Sequence, residues 1–192
     1  MNLMNRKTIT LIAAAGCLLG LSGCELGRVE QGRAIAFDEA ARTVTVVYDT
    51  NNDATNPLYN KMPPATFQLP EKPEETGPLP NTGKCLKVDT DTGQIAIYDE
   101  QKQNLVFVPV TVLTKEKVAS PPKDRKFPEI QNGQITLYAP WQQEIITFTV
   151  PEDYASYPPD TWAMGDEVRI YFKQEGQALR FMNVSQTNIY KR

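Results

Sequence analysis

The feature that most constrains this chain is a repeated alternation: short runs, β-branched or alternating apolar and polar, separated by turn residues. A period of two sends successive side chains to opposite faces of a strand, and helical periodicity is nearly absent from the body of the sequence. Arg33 to Phe37 and Thr43 to Tyr48 flank Asp38 to Arg42, and Lys84 to Val88 and Gln94 to Tyr98 flank Asp89 to Gly93. Both read as antiparallel hairpins. In each, a glycine and a basic residue open the first strand (Gly32-Arg33, Gly83-Lys84), an aspartate closes it, and Tyr-Asp ends the second (Tyr48-Asp49, Tyr98-Asp99). Further strands end near proline at Thr66 to Pro70, Leu105 to Pro109 and Glu144 to Pro151, and Asn132-Gly133 is a strong two-residue hairpin signal. The three meanders read equally as a degenerate duplication or as shared turn grammar.

The C-terminal run Gly165 to Phe172, the turn Lys173 to Gly176 and the run Gln177 to Val184 complete an all-β pattern. This Gly-Asp-x-Val opening is similar to that of small barrels of the oligonucleotide/oligosaccharide-binding or SH3-like type. The expectation is therefore one or two small barrels over residues 32–192, divided, if two, at about 32–113 and 127–192. Closure would also protect strand edges. Long loops are expected at Thr50 to Pro64, Glu71 to Thr82, Thr114 to Lys126 and Pro151 to Met164.

Ahead of this body stands a leader with Arg6 and Lys7, an apolar run, and Leu21-Ser22-Gly23-Cys24. Charged, apolar and small residues in that order make an export signal, expected to be helical, and the run is too short for the ~20 residues of a spanning helix. The four closing residues match the bacterial lipobox, in which lipid is added to the cysteine sulfur and the chain is cut before it. Cleavage is expected between Gly23 and Cys24, with residues 24–31 as a short tether. Two or three acyl chains, palmitate among them, would hold Cys24 in membrane lipid, at about 0.8 kcal/mol per buried methylene. Resemblance to enterobacterial lipoproteins implies that Glu25, where aspartate would retain the protein at the inner membrane, directs it to the periplasmic face of the outer membrane.

Acylation would leave Cys85 as the remaining mature cysteine, so the body is expected to fold without a disulfide, burying roughly 70% of its unfolded surface. Cys85 lies in an alternating run and reads as a buried structural thiol. The chain contains no histidine and carries a formal charge of -3, made more acidic by loss of the leader. That balance argues against nucleic acid as a partner. Without histidine, and with serines outside any Gly-x-Ser-x-Gly elbow, neither a triad nor a zinc site is expected, and no cofactor is implied. The reading is non-enzymatic. The cluster Lys123, Arg125 and Lys126 reads as a solvated loop.

A weak calcium candidate is Asp49-x-Asn51-x-Asp53, whose pattern fails where Ala54 replaces the turn glycine and Asn60 the bidentate glutamate. Asp89-x-Asp91-x-Gly93 reads as turn chemistry. The aromatics offer candidate partner-binding residues: Trp141 at a turn tip, and Trp162 with Tyr154 and Tyr157 in the Pro-rich segment 151–166, which reads equally as a loop packed over a barrel mouth. The acidic residues Asp153, Asp160 and Asp166 beside them frame an alternative, a carbohydrate or peptidoglycan binder or a weak carboxylate-dependent hydrolase.

The lipobox, the paired hairpins and the closing Gly165 to Val184 run together resemble an uncharacterised family of bacterial lipoproteins. That resemblance implies no activity and carries over no site. The functional expectation is a membrane-anchored periplasmic module that binds or assembles an envelope protein or glycan.

Overall fold

The computed structural model describes residues 26–53 and 56–187. The expected leader helix, the cleavage site at Gly23 and Cys24, and Glu25 lie outside the described residues. Among the described residues, twelve strands form three antiparallel sheets. All-β is the observed class.

The five-stranded sheet has the order β12-β11-β1-β2-β3 and combines the two ends of the body: β1 (Arg28–Asp38), β2 (Thr43–Tyr48), β3 (Lys61–Gln68), β11 (Glu167–Phe172) and β12 (Ala178–Asn183). Its apolar face carries Val44, Val46, Phe67, Val168, Ile170, Phe172 and Phe181, all buried. The sheet curls until Phe67 of β3 and Phe172 of β11 lie 5.0 Å apart between ring centroids. The Gln68 amide donates to the Gly176 carbonyl at 2.8 Å, and an isolated bridge joins Gln68 to Gln177. The curl stops short of a barrel. Pro63 and Pro64 lie within β3 and lack the N–H a ladder needs, which interrupts pairing with β2 and confines β3 to an edge. The Gly77 amide instead covers β12 by donating to the Phe181 carbonyl at 3.1 Å.

The remaining strands form a three-stranded sheet, β4 (Cys85–Asp89), β5 (Gln94–Asp99) and β6 (Asn104–Pro109), and a four-stranded sheet of order β7-β10-β9-β8. The latter contains β7 (Thr111–Lys117), β8 (Glu129–Gln131), β9 (Gln134–Ala139) and β10 (Glu144–Thr149). β6 runs through Val110 into β7, so one length of chain supplies an edge to each sheet. Between them lies a second core with Val88, Ile95, Ile97 and Val108 on one side and Ile135, Leu137, Ile146 and Phe148 on the other. A third cluster, Ile35, Val47 and Tyr59 with Leu86 and Tyr98, joins the five-stranded and three-stranded sheets.

Three expectations are corrected here. The sheets are open rather than closed barrels, and a division at 113/127 would cut the five-stranded sheet, which draws β1–β3 from one side of it and β11–β12 from the other. The tether is also shorter than residues 24–31, because β1 begins at Arg28, paired with Phe172. Among the described residues no helix is long and apolar enough to cross a membrane.

Candidate functional site

Two places concentrate polar chemistry or open surface. The first is buried where β1 meets the three-stranded sheet. Arg33 is 1% exposed, and its guanidinium ties three pieces of chain together. Nε donates to the Tyr59 hydroxyl and the Leu86 carbonyl, each at 3.0 Å, and Nη1 donates to the Gly165 carbonyl at 2.8 Å. Its cross-strand neighbour Glu167 is fully buried, and neither carboxylate oxygen makes a hydrogen bond of standard geometry. Burial pushes the Glu167 carboxyl above its ordinary range; the Arg33 charge offsets part of this, the Asp49 charge adds to it, and the Gln31 amide also opposes it. Burial likewise drives the Tyr59 hydroxyl upward against the pull of Arg33.

Asp49, the first calcium candidate, is 0% exposed and already engaged. Its Oδ1 accepts the amides of Asn51 at 3.0 Å and Leu58 at 2.8 Å, and Oδ2 accepts that of Asp53 at 2.9 Å. The carboxylate organises its own loop. Asn51 turns its side-chain amide to the Asn56 carbonyl at 3.0 Å. Among the described residues no group of three or more His, Cys, Asp or Glu side chains is arranged to hold a metal ion. Asp89 also caps a turn, its Oδ1 accepting the amides of Asp91 and Thr92.

The aromatic candidates are mostly interior. Trp162 is 1% exposed, in the second core, with its ring edge-on to Phe148 at 6.1 Å. Of the two readings open to this segment, a partner-binding face and a loop packed over the strands, Trp162 follows the second, because segment 151–164 folds down over the open end of the two smaller sheets. A one-turn helix, α1 (Glu152–Ala155), and a 3₁₀ turn (Pro159–Thr161) shape that segment. The rings of half-buried Tyr154 and Tyr157 meet at a tilt of 58° with centroids 5.3 Å apart, and Tyr157 lies 6.4 Å from Trp162. The Lys84 ammonium binds Asp160 at 2.9 Å and Glu100 at 3.1 Å, strapping the segment to the base of β4. Asp166 Oδ2 accepts from the Asn81 amide and from the side chains of Asn183 and Gln186. Trp141 is half-buried and lines a cavity of about 20 Å³ with Arg33, Leu86 and Met164, its indole N–H buried without a partner. That is room for about one water molecule. The turn tip therefore packs against its own molecule. Cys85 is fully buried, and burial pushes its thiol up to about 12, which suits an inert structural thiol.

The second place was not singled out by sequence: a groove of about 500 Å³ on the face of β1, β11 and β12 that turns away from the first core. Register sets Val29 opposite Tyr171 and Tyr171 opposite Arg180, with Gln31, Arg169 and Met182 in the neighbouring row. A register shift beside Phe172 leaves Leu179 as the extra residue and turns it into the groove. The rim carries Arg169, whose Nη2 donates to Gln31 Oε1 at 2.7 Å, and Arg180, whose Nε donates to Glu75 Oε2 at 2.8 Å. The chain enters the sheet at this rim, where Gly27 lies against the outer end of the Tyr171 ring, which would have to shift to admit a Cβ. Residues 28–31 are mainly polar and carry no alternation that would extend the first strand toward the N-terminus, so the sequence offered no local signal for this face.

No curated protein and no solved structure matches the chain. A family described as "Domain of unknown function (DUF4881)" matches residues 25–192, which takes in every strand from β1 to β12. The chain belongs to the DUF4881 family.

Proposed function

We propose that this protein is a lipid-anchored lipoprotein of the bacterial cell envelope, held by acylated Cys24 at the periplasmic face, most simply of the outer membrane. Its β body binds or assembles an envelope partner without catalysing a reaction. The observation that carries this reading is the position of Leu21-Ser22-Gly23-Cys24: the family match begins at residue 25, directly after the cysteine that acylation would use. The body lends support by its construction. Of the residues on which a glycan-binding or hydrolytic site would depend, Asp160 is held in an ion pair with Lys84, Asp166 is held in hydrogen bonds and the Trp162 indole is packed in the core, while an open groove lies beside the chain's entrance.

The test is to express the full chain in a bacterial host with labelled palmitate and determine the mass of the N-terminal peptide. Acylation is expected at Cys24, with label and membrane association both lost in Cys24→Ala. A mature protein with an unmodified Cys24 overturns the anchor. In-cell crosslinking of the acylated protein that returns no reproducible envelope partner overturns the binding module.

A further inference from the structure

We propose that the groove face of β1, β11 and β12 is a docking surface for anionic phospholipid, lying against the bilayer that holds Cys24; this rests on the acylation of Cys24 proposed above. Chain geometry makes the first part of the case. Strand β1 begins at Arg28, four residues after Cys24, and four extended residues reach at most about 14 Å. The polar layer of a leaflet is itself roughly 5–8 Å deep. A cysteine whose acyl chains lie in the hydrocarbon therefore keeps the start of β1 close to the headgroups. β1 is no loose arm, since it pairs with β11 on one side and β2 on the other. The part of the body beside its first residues must meet the membrane.

What lies there suits an interface. Leu26 is 88% exposed, Val29 56% and Leu179 45%, and the last two share the groove with Tyr171 and Met182. Scattered exposed apolar residues are ordinary on a soluble surface, but a contiguous set around one groove marks an interaction site. Tyrosine belongs at the headgroup level, where its ring is apolar and its hydroxyl is wet. Charge points the same way. The groove lining holds two guanidinium groups, Arg169 and Arg180, and one carboxylate, Glu75. In a chain of net charge -3 this is a locally cationic face, complementary to anionic headgroups. Leu26, Val29 and Leu179 would enter the headgroup region while the arginines extend their charged ends to phosphate.

The test uses full-length protein, processed and acylated in cells and reconstituted into vesicles of phosphatidylcholine and phosphatidylglycerol containing a doxyl-labelled lipid. Leu179→Cys carries an environment-sensitive fluorophore, Val29→Cys is a second probe on the same face, and Leu113→Cys on β7 is the reference. Buried Cys85 stays unlabelled. Strong quenching at 179 and 29 but not at 113 is expected. Arg169→Gln should shift the balance of docked to undocked protein by about fivefold toward undocked. Equal solvent exposure of all three probes on protein that carries the acyl mass and floats with vesicles overturns docking and leaves the anchor intact. Protein lacking the acyl mass overturns both. Protection of 179 and 29 in detergent, with the mass of a dimer or hetero-complex, assigns the face to protein and overturns the lipid proposal.

Discussion

Arg33 and Glu167 face each other across β1 and β11, and the molecule treats them unequally. The guanidinium finds three acceptors on three segments, while the carboxylate is sealed in without a well-formed hydrogen bond. A buried acid in this position is held above its ordinary value near 4.5. In the pH range between the ordinary and the raised value the folded state binds the proton and the unfolded state does not, so stability falls as pH rises through that range. Glu167→Gln should flatten the slope and leave Arg33 in place; urea midpoints from pH 4 to pH 8 read it directly, and an unchanged slope would show that another group is responsible. Trp162 belongs to the same scale. Removing an indole from a packed core costs about 3–5 kcal/mol, so Trp162→Ala should appear as a loss of that size in urea unfolding. Neither role was legible from residue identity alone. An aromatic in a Pro-rich loop reads the same whether the loop lies open or folds over a core, and only the Lys84–Asp160 strap and the contact with Phe148 decide between them.

At the scale of elements the sequence was far easier to read, because turn chemistry is local. Three hairpins close through four residues after an aspartate: Asp38 caps Ala41, Asp89 caps Asp91 and Thr92, and Asp99 caps Gln101 and Lys102. Each places the residue before its second strand at positive φ: Arg42 at 51°, Gly93 at 64° and Gln103 at 49°. The loop from Ala139 to Glu144 repeats the geometry with Gln143 at 52°. Asn132 and Gly133 form the tighter two-residue turn, at 51° and 73°. Nothing lies within 4 Å of a Cβ at Gly133, so Gly133→Ala should cost about 1–2 kcal/mol through backbone strain alone. Thermal unfolding would show this, and a neutral result would mean that the turn relaxes. The start of β1 was harder to see. Arg28 to Gln31 are mainly polar, and their strand character comes from β11, whose Arg169 meets Gln31 across a separation of 138 residues. No local period reports a partner that distant.

The whole molecule depends on that distant pairing. The five-stranded sheet is assembled from both ends of the body, with the two smaller sheets inserted between β3 and β11, so a division by sequence position cannot match the division by packing. The same arrangement places the chain's entrance, the apolar groove and the last strand of the fold on one face. If a short connection to acylated Cys24 sets the orientation of that face, lengthening the connection should release it. Twelve Gly/Ser residues inserted between Glu25 and Leu26 add roughly 20 Å of root-mean-square reach and lower the effective concentration of the face at the membrane. The protein should still float with vesicles through its acyl chains, while quenching of a probe at Leu179→Cys falls severalfold. Unchanged quenching would mean that the face holds lipid by its own affinity, with the tether contributing proximity but not orientation. Loss of flotation along with quenching would place the defect in acylation rather than in docking. The prediction therefore separates the two contributions that one short stretch of chain combines: attachment by Cys24 and presentation by β1.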